Sequence, residues 1–223
     1  MNKFTMQICE RIFKLCESNS FKNKTILITG ANGLIGGFLA DYFNYLNQKF
    51  DYNVKMILTS LSKNPERLIH LLNEPNVEYI SKDLSDGIQL RQTDKIDYCF
   101  YCAGYAQPTK FLSNKTKTFF LNVNGLQKTF DNIFSINKEA RCVFLSSSEI
   151  YSMNSTDTSH KETDLLSLSL EHKRNSYILG KITGEMIVNN FIENGCNAVS
   201  TRVSLCYGPG HLYDDARVMS DIT

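Results

Sequence analysis

The sequence has no apolar run long enough to span a bilayer. It has no continuous apolar stretch near its first residue of the kind a secretory leader needs. Internal repeats and low-complexity linkers are also missing. Charge of one sign does not dominate either: 24 Lys and Arg stand against 23 Asp and Glu, with no basic cluster. These absences argue against a membrane protein and against export. The charge balance argues against nucleic acid and anionic membrane surfaces as partners. A cytoplasmic location is the expectation, and no metal ligands are assigned.

What is present suffices for one large core, or a main domain with a fragment of a second, in 223 residues. Seven cysteines, an odd number lying largely in apolar segments, fit reduced thiols. Cys99 and Cys102 have the spacing of a redox pair. They fall within a predicted strand, however, where residues three apart point to opposite faces, so both are read as small buried hydrophobes. Near the start, Phe4, Ile8, Ile12 and Leu15 recur at helical spacing with Glu10, Arg11 and Lys14 between them. That pattern predicts an amphipathic helix packed on the domain, its polar face not basic enough for a membrane-surface helix.

Apolar, β-rich runs alternate with longer helical patterns. Strands are predicted near 25–29, 54–59, 77–80, 96–102, 141–146 and 198–204, and helices near 34–48, 64–72, 115–136 and 173–194. Strands apolar on both faces and separated by helices indicate an α/β fold. Its centre is a doubly wound, Rossmann-like parallel sheet with ligands at the carboxyl ends of the strands. The polar, Ser- and Thr-rich stretch 152–172 reads as a loop over the mouth of that site. Residues 1–23 form the helix and lead-in, 24–206 the dinucleotide-binding domain, and 207–223 the start of a further lobe.

The first strand runs into Thr29-Gly30-Ala31-Asn32-Gly33-Leu34-Ile35-Gly36. Three glycines at this spacing make a tight turn, a close backbone approach and a helix start. A dinucleotide pyrophosphate would then rest on the amides of the first helical turn, at Leu34 and Ile35. Alone, the same triplet also describes an ordinary strand-to-helix connection. At later strand ends stand Asp83-Leu84, where a carboxylate can accept from an adenine amino group or cap a turn, and Cys102-Ala103-Gly104, small enough for a cofactor to pass close to backbone. The second strand ends without the usual acidic residue and offers Ser60 and Lys63 instead. Hydroxyls with a lysine can take a 2′-phosphate, so the cofactor is left as NAD or NADP.

Tyr177 and Lys181 are four apart on a predicted helix and share a face. A nearby ammonium favours the phenolate and makes tyrosine usable as an acid/base near neutral pH. Alternatively, Tyr177 packs and Lys181 pairs with Glu185. The fifth strand delivers Ser146-Ser147-Ser148-Glu149 at its carboxyl end, where a hydroxyl can both donate to and accept from a substrate hydroxyl.

Together these motifs resemble an extended short-chain dehydrogenase/reductase of the NAD-dependent epimerase/dehydratase family, whose members act on nucleotide-activated sugars. The likeness runs from about Lys24 onward. It takes in the glycine motif, Asp83, Cys102-Ala103-Gly104, Asn122 before Gly125, the serine cluster, Tyr177 with Lys181, and Arg202 leading to Tyr207-Gly208-Pro209. The resemblance places the cofactor along these residues, Asn122 included, and the substrate at Ser147, Ser148 and Tyr207. It implies that Ser147, four residues before Tyr151, and Tyr177 contact the sugar 4-hydroxyl. Tyr177 takes the proton while hydride passes to nicotinamide, leaving a 4-keto sugar.

Ser148-Glu149 resembles the hydroxyl–glutamate pair of 4,6-dehydratases and UDP-glucuronate decarboxylases, with Glu149 as the base at carbon 5. Lys173-Arg174-Asn175-Ser176-Tyr177 is similar to the decarboxylase-like branch. Dehydration, decarboxylation and epimerisation all stay open, in a role such as cell-surface sugar biosynthesis. The resemblance implies a substrate lobe after the Tyr-Gly-Pro segment, and that lobe is expected to be largely absent here. The chain is therefore expected to bind NAD(P) but to turn over weakly alone. A homodimer through the helices near 115–136 and 173–194 is implied. The alternatives are a non-catalytic dinucleotide-binding or regulatory protein and a simple NADPH-dependent carbonyl reductase.

Overall fold

A computed structural model describes residues 3–16, 18–105, 107–151, 160–164 and 171–210. Six strands form one sheet: β1 (Thr25–Thr29), β2 (Lys55–Ser60), β3 (Val77–Ser81), β4 (Tyr98–Tyr101), β5 (Arg141–Ser147) and β6 (Asn197–Val203). Every pairing is parallel, in the order β3-β2-β1-β4-β5-β6. The predicted doubly wound sheet is therefore present, and each predicted strand lies within a few residues of an observed one. Its order reverses between β1 and β4, which opens a crevice at their carboxyl ends.

The sheet is buried on both sides because its strands alternate between two apolar cores. Ile26 and Ile28 of β1 join Met56, Leu58, Phe43 and Leu46 on one face. Leu27, Cys99, Tyr101, Cys142 and Phe144 join Phe130, Ile133 and Val188 on the other. Cys99 thus belongs to one core while Cys102 packs against the other, as the strand reading requires.

The helices are α1 (Lys3–Leu15), α2 (Leu34–Phe50), α3 (Pro108–Ser113), α4 (Lys115–Phe120), α5 (Leu126–Ile136) and α6 (Asn175–Glu193). Among the described residues no helix is long and apolar enough to cross a membrane. Helix α1 packs on α2 through the middle of the expected stripe, Ile8 and Ile12 being half-buried, but not through its ends. Phe4 and Leu15 are 61% and 81% exposed, whereas Thr5 and Cys9 are buried. Phe13 stacks on Phe50 at 4.1 Å between ring centroids. The contact face is shared between Ile12 of the stripe and the adjoining Cys9 and Phe13.

One other expectation is corrected, one is refined, and one helix was not foreseen. The segment 64–72 is a single 3₁₀ turn, Glu66–Leu68, followed by further turns. Its amides reach only three residues back, Leu68 to Pro65 at 2.8 Å and Leu71 to Leu68 at 2.7 Å, which buries Leu68 and Leu71 without an α-helix. The helix expected over 115–136 is present, with a π-helical stretch, Leu121–Gly125, inside it, where the Tyr101 hydroxyl donates to the Leu121 carbonyl at 2.7 Å. Helix α3 was not foreseen; Pro108 opens it, at a position where no amide is needed. The loop read over 152–172 lies mostly outside the described residues, as does most of 207–223.

Candidate active site at the carboxyl ends of the central strands

The cofactor half is built by exclusion of side chains. Gly30 has φ +63°, a left-handed conformation that glycine adopts without strain, and a Cβ there would lie 2.7 Å from the Cys102 carbonyl oxygen. A Cβ on Gly36 would lie 2.6 Å from the Gly30 carbonyl oxygen. At Gly33 the neighbourhood is open: a Cβ would meet only the Gly30 carbonyl, at 3.2 Å, and the residue is exposed. The turn therefore presses β1 against the end of β4 on one side and leaves the helix start open on the other. The first amides of α2 have no partner within the helix, so this cradle fits a pyrophosphate.

The remaining predicted cofactor residues are distributed unevenly around it. Ala103 donates its amide to Thr29 Oγ1 at 3.0 Å, tying Cys102-Ala103-Gly104 to β1. The Cys102 thiol is pushed up to about 12 by burial and stays protonated. The Asn32 carboxamide oxygen accepts from the Arg67 amide at 3.2 Å, and the Arg67 guanidinium pairs with the buried Asp41. His70 meets the same carboxylate at 2.7 Å.

Ser60 is turned inward, its Oγ 2.6 Å from the Tyr79 hydroxyl, while Lys63 is exposed. Asp83 caps the turn Leu84–Asp86, accepting from the Ser85 amide at 3.0 Å and the Ser85 hydroxyl at 2.7 Å. Those bonds, with Lys117 at 3.6 Å, hold its carboxyl below the usual range. Asn122 is fully buried beside α6; its amide group donates to the Thr118 carbonyl at 2.8 Å and its carboxamide oxygen is buried without a hydrogen-bond partner.

The other half is built from buried side chains. Helix α6 carries Tyr177 and Lys181, both buried, against β5. The Lys181 ammonium donates to the Leu145 carbonyl at 2.6 Å and lies 5.8 Å from the Tyr177 ring centroid and 4.8 Å from that of Phe144. Burial pushes its pKa down to about 8, with Cys102 and Glu185 opposing. Glu185 does not pair with Lys181; it holds Arg202 instead, at 2.9 Å.

Tyr177 stacks on Phe111 of α3 at 4.9 Å. At the end of β5 the Ser147 hydroxyl accepts from the Glu149 amide at 3.2 Å, and the turn Ser148–Ile150 follows. Glu149 is paired with Arg174 at 2.7 Å, and burial pushes its carboxyl up against the pull of Arg174 and His172. Tyr207 is 67% exposed and lines a cavity of about 240 Å³ with Ile8, Leu34, Ile35 and Phe38. That cavity brings the segment after β6 beside the helix start.

The sequence reading gave Phe111 and Arg67 no part in this site. Phe111 sits on the unforeseen α3, where only Pro108 signalled a helix. Arg67 was hidden in an apparently regular helical pattern.

A profile described as the NAD dependent epimerase/dehydratase family matches residues 26–223. A dTDP-4-dehydro-6-deoxy-D-allose reductase of a Streptomyces species is 25% identical over 209 residues, covering 90% of this chain and 61% of that protein. The UDP-glucuronic acid decarboxylase 4 of Arabidopsis thaliana is 28% identical over 200 residues, covering 88% of this chain and 42% of that protein. Among solved structures, the UDP-N-acetylglucosamine 4-epimerase from Methanobrevibacter ruminantium superposes with a TM-score of 0.72 at 24% identity. That match covers 89% of this chain and 61% of the epimerase, and it speaks for the fold. The chain thus spans about half the length of the relatives it matches, between 42% and 61% for these. By the extent of the profile match and the glycine cradle it includes, the chain belongs to the NAD dependent epimerase/dehydratase family.

Proposed function

We propose that the chain binds NAD or NADP and forms the oxidising part of a nucleotide-sugar epimerase, dehydratase or decarboxylase. Gly30, Asn32, Gly33, Leu34 and Ile35 would hold the pyrophosphate. Asp83 and Leu84 would face the adenine, and Ser60 and Lys63 the adenosine ribose. Cys102, Ala103, Gly104 and Asn122 would flank the nicotinamide end. When bound, the nicotinamide supplies the acceptor for the hydride from sugar carbon 4.

The chain's own residues manage the proton. Ser147 orients the 4-hydroxyl, and the Tyr177 phenolate takes its proton as the carbonyl forms. Lys181, largely cationic below about pH 8, stabilises that phenolate. Glu149 then serves as the base for the step that follows, and Ser148 and Tyr207 contact the sugar nucleotide. The observation that carries this reading is the meeting of Lys181 with the ring of Tyr177 and the end of β5, beside the strand that abuts the glycine cradle. A homodimer through the outer faces of α4 and α6 is part of the proposal. Phe120 and Met186 on those faces are 48% and 61% exposed.

Calorimetric titration with NAD⁺ and NADP⁺ tests the first half, with micromolar binding of one of them expected. No heat with either overturns it. Incubation with a panel of sugar nucleotides, read by product mass, separates loss of water, loss of carbon dioxide and no change. The Streptomyces relative is a reductase, which favours a second reading: consumption of external NADPH with a 4-keto sugar instead of catalytic recycling of bound cofactor.

A further inference from the structure

Glu149 does not stand alone at the end of β5. The Arg174 guanidinium reaches it at 2.7 Å, across the gap between the strand end and the start of α6. The same guanidinium lies over the Phe111 ring, 5.1 Å from its centroid, and Phe111 stacks in turn on Tyr177. Phe111 is only 2% exposed, so one side of the ion pair rests on a dry surface. Meanwhile the Arg174 carbonyl accepts from the amides of Tyr177 and Ile178, at 3.0 and 3.1 Å. One residue therefore starts the helix that carries Tyr177 and grips the carboxylate opposite.

We propose that Arg174 is the positioning residue of this site: its charge keeps Glu149 ionised at neutral pH and its fixed place at the helix start sets where that carboxylate stands. This rests on reading Glu149 as the site's base. A base of this kind must carry no proton when the substrate arrives, and burial works against that. Among the described residues, the charged or titratable groups acting on Glu149 are Arg174 and His172, both in the segment leading into α6. Of the two, Arg174 acts more strongly and makes the direct ion pair, at 2.7 Å. The second Glu149 oxygen is buried with no protein hydrogen-bond partner, so the pair with Arg174 is its main hold on the ionised form.

The test needs neither cofactor nor sugar. The Glu149 carboxyl carbon is followed by ¹³C NMR during a pH titration and identified by the signal that Glu149→Gln removes. Arg174→Met should raise the midpoint by about one unit or more, the size expected when an opposite charge within about 4–6 Å is lost. Arg174→Lys, which keeps the charge, should bring it most of the way back.

A purely structural role would lower the melting temperature in both variants and leave the midpoint where it was. That outcome overturns the proposal. Should Arg174→Met not fold, the neutral and shape-preserving Arg174→Gln takes its place beside Arg174→Lys, and equal midpoints in those two would overturn it as well. A chain that binds no dinucleotide would sink the oxidising reading and leave this titration intact, so the two failures are distinguishable.

Discussion

At the β1–α2 turn the site is made of backbone from which side chains are excluded, whereas at the β5–α6 end it is made of side chains whose charges are taken out of water. Gly30 and Gly36 have no room for a methyl group. At Lys181 and Glu149 burial instead moves both proton equilibria toward the neutral forms. The turn is therefore limited by volume. The other end is packed as tightly, a Cβ on Gly184 lying 2.6 Å from the Phe144 ring, and it carries the site's buried acid and base as well.

The largest expected effect belongs to the charged end. Tyr177→Phe removes one oxygen and keeps the ring stacked on Phe111. Turnover should fall roughly 10²–10⁴-fold, the usual contribution of a positioned acid/base, with cofactor affinity and melting temperature nearly unchanged. Steady-state kinetics beside calorimetry checks this, and a large loss of stability would break the contrast.

Next is the pH dependence of stability carried by Lys181. Its folded pKa of about 8 lies below the ordinary 10.5, so between those values the unfolded chain binds the proton more tightly. Stability therefore rises as pH increases from about 8 toward 10.5, and the penalty is fully present below 8. Denaturant unfolding of the wild type relative to Lys181→Met should show this gain, on the order of 3 kcal/mol at most. A flat difference would show that the ammonium is not buried in solution.

The smallest free-energy change, though not the mildest consequence for binding, is expected at the turn. Gly36→Val should cost about 1–3 kcal/mol through overpacking and abolish dinucleotide binding. Val199→Ile, which adds bulk at a position 50% exposed and outside the site, is its control. Thermal melts with and without NAD⁺ compare the two, and equal behaviour would dissolve the contrast.

The same division explains what was legible in the sequence. Strands apolar on both faces, such as Thr25–Thr29 and Arg141–Ser147, announce themselves by composition, and glycine spacing announces a turn. Both are local properties. The contacts of the charged end are not: Glu149 and Arg174 are 25 residues apart, and Lys181 finds Leu145 36 residues away. Arg174 was visible as part of a motif, yet its partner depends on how α6 docks on β5. The helical pattern over 64–72 misled because Leu68 and Leu71 satisfy a three-residue spacing that 3₁₀ turns share with α-helices. The ends of the α1 stripe misled because Thr5, Cys9 and Phe13 join Ile12 in the contact, which depends on how the helix lies on α2.

The tightness of the glycine bend reaches further than the bend itself. Gly30 bears directly on Cys102 and Ala103, and the next residue, Gly104, is the neighbour of the Lys181 ammonium. Two close approaches thus join the glycine turn to the Lys181 ammonium. Anything that wedges the first one apart should be felt at the last, as a change in the acidity of Lys181 with no alteration to α6.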